Sequence, residues 1–137
     1  FAPVVDNIRT EIWAKLWGNM SVNPLSALTQ LSTGPLHARP ETRALIVALM
    51  QEFEMLGQKI GLPLPMSVEE RIAVTEVLGD FRPSMLADLE AGRRLETEGI
   101  LGCLVELADR LGETIPASRT VYALLTGLDS ARSRKAS

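Results

Sequence analysis

The stretch from Pro40 to Pro63 reads PETRALIVALMQEFEMLGQKIGLP, and it decides the fold class. Leu45, Leu49, Phe53, Leu56 and Ile60 recur every three or four residues, the period of one helix face. Pro40 suits a first helical position, where its missing N–H has no intrahelical partner to lose. Gly61 followed by Pro63 reads as a stop. The spacing therefore predicts an amphipathic helix bounded at both ends by its own sequence.

The same punctuation continues outward. Upstream, a helix is expected from about Asp6 to Gln30, with Ile8, Ile12, Leu16 and Met20 as an apolar stripe. Pro24 should kink or divide it, because proline lacks an N–H and crowds the preceding turn. Thr33-Gly34-Pro35 reads as a turn. Downstream, Ser67-Val68-Glu69-Glu70 is a capping box for a third helix ending at Gly79. Pro83-Ser84 opens a shorter fourth helix, interrupted near Gly92. A fifth carries Leu101, Leu104, Val105, Ala108 and Leu111, with Gly112 as a left-handed cap. Ser118 is expected to cap a sixth, packed through Val121, Leu124, Leu125 and Leu128. No strand alternation or internal repeat interrupts this pattern. The expectation is an all-α fold of about six helices, one domain over residues 1–129, with a polar tail at 130–137 that frays.

Composition narrows the function classes. At 137 residues the chain can bury a real core without staples. A net charge of −3 argues against nucleic acid, whose binders carry a basic field. No apolar run is as long as a membrane span. The single cysteine, Cys103, excludes an internal disulfide and fits a reducing, cytoplasmic location. One histidine and one cysteine, far apart, argue against zinc, and no metal ligands are expected. The chain starts at Phe1, not methionine, so an upstream segment with any targeting signal is expected to lie outside it.

The segment KLWGNMSVNP, residues 15–24, carries the most unusual register. Lys15, Asn19 and Asn23 are spaced four apart, and each such step drifts by only about 40° around a helix. Their side chains share one broad face. That face reads either as a solvated polar edge or as the wall of a site, since asparagine is a mediocre helix former and buried amides need partners. Ser84 reads either as a plain N-cap or as a hydroxyl offered to an anion. Glu96, in Arg93-Arg94-Leu95-Glu96-Thr97-Glu98, reads as a surface charge, and spacing does not separate it from Glu98. His37 is read as a surface loop residue and Cys103 as a buried structural thiol. No G-x-G-x-x-G, P-loop or G-x-S-x-G motif occurs.

Taken together these residues are more specific. The order Lys15, Asn19, Asn23, Pro24, Leu25, with Trp13 ahead of the lysine, resembles the start of the C-terminal domain of ketopantoate reductases (2-dehydropantoate 2-reductases). Ser84-Met85-Leu86, with Glu96 twelve residues after the serine, is similar to the family's second motif, and Gly102 falls where the family has Asn-Gly. The resemblance covers roughly Ile12 to Leu128. It implies a helical domain of the 6-phosphogluconate-dehydrogenase-like type, coupled in the family to an N-terminal Rossmann domain that binds NADPH and is absent from this chain. It implies reduction of ketopantoate to pantoate, in pantothenate biosynthesis. By the same resemblance Lys15 is the general acid, Asn19 and Asn23 bind substrate, Ser84 contacts its carboxylate end, and Glu96 lies near the reactive end of the cofactor.

The isolated domain is then expected to be inactive, with a 2-oxo acid, the Rossmann domain and a second copy of the chain as partners. Thr33, Leu95 and Leu101 depart from the family pattern, so a related reductase acting on another 2-oxo acid is an alternative. A non-catalytic helical interaction or dimerisation module is the alternative from another class.

Overall fold

The computed structural model describes residues 2–136, with side chains for residue 9 and for 11–135. Seven α-helices follow one another: α1 (Ala2–Thr29), α2 (Thr33–Ala38), α3 (Pro40–Lys59), α4 (Val68–Leu78), α5 (Ser84–Glu90), α6 (Cys103–Leu111) and α7 (Pro116–Ala136). A π-helical turn, Glu98–Gly102, leads directly into α6. Among the described residues there is no strand, so the all-α expectation holds. None of the described helices is long and apolar enough to cross a membrane.

Helix α3 is the hub and packs against α1, α2, α4, α6 and α7. It starts with Pro40 in its first turn, and its Ile46, Leu49, Met50, Phe53 and Leu56 are buried. Trp13 of α1 stacks on Phe53 at a centroid distance of 4.0 Å. Trp17 donates from Nε1 to the Met50 carbonyl at 3.1 Å, which fixes α1 against α3. Gly57 makes this approach feasible. A Cβ there would lie 2.4 Å from Trp13 Nε1 and 2.7 Å from the Leu62 carbonyl oxygen.

Several local expectations are met. Ser67 accepts from Glu70 N–H at 3.1 Å at the start of α4. Gly112 closes α6 with φ 68°. Helix α5 ends before Gly92, whose φ is 74°.

Tertiary packing overrides others. Pro24 does not divide α1, which runs on to Thr29. Val22, Leu25 and Ala27 around it are buried, and that burial outweighs the roughly 3 kcal/mol a mid-helix proline costs. The buried face of α1 is Trp13, Trp17 and Met20, whereas Ile12 is 56% exposed; Ile8 lies outside the described side chains. Thr33-Gly34-Pro35 is not a bare turn but the start of α2. His37 is therefore buried rather than on the surface. Its Nδ1 lies 2.7 Å from the Thr33 carbonyl. A carbonyl only accepts, so Nδ1 carries the proton.

Cys103 is exposed rather than buried. Leu101, Leu104 and Ala108 hold the inner stripe, and Cys103 lies about 100° around the helix from Leu104. Leu124 also faces solvent, while Val121 and Leu125 are buried.

The start of α7 corrects the Ser118 cap. The helix begins at Pro116, and Glu52 of α3 supplies the cap. Its carboxylate accepts from Ala117 N–H at 2.9 Å, Ser118 N–H at 2.7 Å and Ser118 Oγ at 2.6 Å. An anion on a helix N-terminus meets both unpaired N–H groups and the positive end of the helix dipole. Glu52→Ala should cost about 2 kcal/mol in urea unfolding, because it strands charge-assisted bonds. An unchanged urea midpoint would show that water replaces the carboxylate without loss.

At the other end, α7 continues helically through the expected polar tail to Ala136. Arg132 donates to the Arg93 carbonyl at 2.6 Å, and Asp129 accepts from Thr97 Oγ1 at 2.7 Å. These bonds tie the residue 93–97 segment to α7. Phe1 and Ser137 lie outside the described residues.

Candidate active site

Helix α1 sets out Lys15, Asn19 and Asn23 along one face, and the N-terminus of α5 meets that face. Asn23 Nδ2 lies 3.4 Å from Asn19 Oδ1 and 3.5 Å from Ser84 Oγ. Both are long for hydrogen bonds, so these groups retain capacity for a ligand. Ser84 is not an N-cap. Pro83 holds the cap position with φ −61°, and Ser84 is the first helical residue, with its exposed hydroxyl turned to Asn23.

The loop that delivers Ser84 is fastened from behind. Thr33 N–H donates to the Phe81 carbonyl at 3.0 Å, and Phe81 N–H donates to Thr33 Oγ1 at 3.0 Å. Gly34 N–H donates to Asp80 Oδ1 at 2.8 Å. That backbone bond, then the Ser32 hydroxyl, holds the Asp80 carboxyl below its ordinary pKa. A depressed carboxylate pKa stabilises the folded form above the unfolded value near 3.9. The contribution is lost as pH falls through the folded value.

A small cleft of about 120 Å³ opens beside the asparagines, bordered by Gly18, Asn19, Asn23, Arg71, Leu78 and Phe81. Arg71 is half-buried, and burial lowers its pKa from the ordinary guanidinium value. Composition and spacing gave no reason to single out Arg71, Leu78 or Phe81. One signal was present: Gly18 interrupts a helical run, which often marks a close approach by another group.

Lys15 lies one turn before Asn19, exposed, and makes no hydrogen bond or ion pair with a described residue. Glu96 occupies a different groove, of about 550 Å³, beside Thr97, Thr126 and Asp129. The structure thus joins Asn19, Asn23 and Ser84 and leaves Glu96 apart from them. It also separates Glu96 from Glu98. Glu98 accepts from the Tyr122 hydroxyl at 2.6 Å, whereas Glu96 has no hydrogen bond among the described residues. A hollow of about 510 Å³ behind the loop is bordered by His37, Arg43 and Glu76. The Arg43–Glu76 ion pair already engages both charges there. Among the described residues no cluster could hold a metal ion.

Comparison with known proteins places this all-helical domain in an oxidoreductase family. Residues 7–129 match the family described as ketopantoate reductase PanE/ApbA C terminal, and the chain belongs to that family. It is 40% identical over 127 residues to the 2-dehydropantoate 2-reductase of Mesorhizobium japonicum, covering 93% of this chain and 39% of that protein. It is 31% identical to the 2-dehydropantoate 2-reductase of Archaeoglobus fulgidus, covering 94% of this chain and 44% of that protein. The crystal structure of 2-dehydropantoate 2-reductase from Methylococcus capsulatus superimposes with a TM-score of 0.86 at 38% identity, covering 92% of this chain and 44% of that one. The chain therefore spans less than half the length of these relatives.

Proposed function

We propose that this chain is the substrate-binding half of an NADPH-dependent 2-oxo acid reductase, with ketopantoate reduced to pantoate. The observation that carries the reading is the meeting of Asn23 with Ser84, 61 residues apart in sequence, on the face that bears Lys15. Amide and hydroxyl donors orient a hydroxylated oxo acid without adding charge. Lys15 would hold its ammonium against the keto oxygen, stabilise the charge that develops there, and deliver the proton. Ser84 would meet the carboxylate end.

NADPH, when bound, supplies the hydride. The described residues contain no strand and no Gly-rich strand–turn–helix. The body of the dinucleotide would therefore rest on a companion Rossmann domain. Glu96 is an exposed carboxylate with acceptor capacity to spare. It lies in a groove apart from Asn19, Asn23 and Ser84, so a role at the cofactor's reactive end would need the companion domain to bring the cofactor to that groove. A cytoplasmic location goes with this reading.

The test is the full-length protein with NADPH against ketopantoate and a panel of other 2-oxo acids. Ketopantoate should be the best substrate, and Asn23→Ala should raise its KM about 10-fold, the worth of one or two lost hydrogen bonds. A panel without turnover, or an unchanged KM, would remove the assignment. A helical interaction or dimerisation module is the second reading. It is favoured by the exposed Val74 and Val77 on α4, the latter 87% accessible. It predicts self-association of the full-length protein that Val77→Glu abolishes, with no oxo acid reduction.

A further inference from the structure

Gly18 sits in the middle of α1, where glycine is a poor helix former. A Cβ built on it would lie 2.6 Å from Nη2 of Arg71. The glycine is thus the space the guanidinium occupies. Arg71 reaches this place from the second turn of α4. Its Nη1 donates to Thr75 Oγ1 at 2.6 Å, and that hydroxyl donates back to the Arg71 carbonyl at 3.1 Å. The head group is therefore held and aimed.

What it lacks is an anion. Arg43, Arg82, Arg93, Arg110, Arg119 and Arg132 each pair with a carboxylate. Among the described residues none pairs with Arg71; Arg39 and Arg94 are also unpaired, but they are exposed, whereas Arg71 is half-buried. A partly desolvated charge without a counter-charge is costly, and natural sites keep one where a ligand completes it. The guanidinium borders the same cleft as Asn19 and Asn23, and Leu78 and Phe81 line it too.

We propose that Arg71 is the carboxylate anchor of this site and that Leu78 and Phe81 receive the aliphatic body of the acid. The inference rests on the 2-oxo acid reading of the same cleft. A 2-oxo acid carries a carbonyl and a carboxylate on adjacent carbons. Asn19, Asn23 and Ser84 are neutral: they orient the acid, Ser84 at its carboxylate end, but none of them supplies the positive charge that offsets a carboxylate. Lys15 and Gly18 are three residues apart, about 4.5 Å along the helix axis. One cation then serves the keto oxygen and the other, over Gly18, serves the carboxylate. The planar fork of arginine fits a carboxylate through two parallel bonds, which a lysine cannot reproduce.

The experiment compares ketopantoate with its neutral primary amide in the full-length NADPH-dependent enzyme. Arg71→Ala should raise KM for the acid about 10- to 100-fold, the range for a charge-assisted pair. The kcat should stay within about threefold, because the lost contact is uniform in ground and transition states. KM for the amide should not move, so the preference for the acid collapses. Gly18→Ala should give the same signature with the arginine retained, since the new methyl displaces the guanidinium while favouring the helix. Arg71→Lys should recover part of the preference.

Acid and amide weakening together, or neither changing, would overturn the anchor while leaving the reductase reading intact. If the wild type reduces no oxo acid, the reductase reading fails, and calorimetry with ketopantoate decides the anchor. Binding lost in Arg71→Ala sustains it; equal or absent binding refutes it.

Discussion

On the proposed reading, Lys15→Ala in the full-length protein should lower kcat about 10²- to 10⁴-fold, the range for removing a positioned general acid. The effect should fall on kcat and kcat/KM alike, because the ammonium matters most once charge has developed on the keto oxygen. Fold stability gives a clean control. Lys15 is exposed and makes no described hydrogen bond or ion pair, so its replacement should alter unfolding free energy by less than about 0.5 kcal/mol. Activity is therefore expected to drop without any matching loss of structure. Lys15→Arg keeps the charge but holds its proton too tightly to donate it, and should recover little. Near-normal turnover in Lys15→Ala would move the proton donor elsewhere and reduce Lys15 to a surface residue.

The contrast between Lys15 and Arg71 shows what a sequence can and cannot disclose. Lys15, Asn19 and Asn23 are legible because one helix carries all three, and the 3.6-residue period alone places them on a face. The bounds of α3 and the caps at Ser67 and Gly112 are legible for the same reason: proline, glycine and serine act on their own backbone within a turn. Arg71 is not legible. Its proposed role depends on the Arg71 side chain reaching from α4 to Gly18 of α1, a contact over 53 positions of sequence (71 − 18) that no local rule encodes.

The misreadings have the same origin. Pro24 breaks an isolated helix, but here its neighbours are in the core. His37 follows Gly-Pro and looks like a loop residue, yet α2 packs on α3 and buries it. The polar tail lacks an apolar stripe, and bonds to the residue 93–97 segment, made from Asp129 and Arg132, anchor it instead. Ser84 and Ser118 were both legible as helix starts. Their hydroxyls serve other elements because Asn23 and Glu52 arrive from distant helices.

Core substitution provides the largest expected change in stability, and Phe53 is the position to test. Its side chain is fully buried at the centre of α3. Phe53→Ala should lower the unfolding free energy by about 3–5 kcal/mol, the sum of lost transfer energy and the cavity left behind. Part of that loss is specific to the ring, because the stack on Trp13 contributes about 0.5–1.5 kcal/mol beyond area alone. Collapse around the cavity is limited. Trp13 is already pressed against Gly57, where its Nε1 approaches within 2.4 Å of an added Cβ. Urea unfolding of the 137-residue chain should show a lower midpoint at unchanged slope, since the exposed area on unfolding hardly differs. Leu124→Ala deletes apolar bulk from an exposed site and should shift the midpoint little. A Phe53→Ala loss below about 1 kcal/mol, typical of a surface change, would mean that the Trp13–Phe53 contact does not seat α1 on α3. The consequence would reach the candidate site, because Trp13 lies two residues before Lys15 on the helix whose Lys15–Asn23 face meets Ser84.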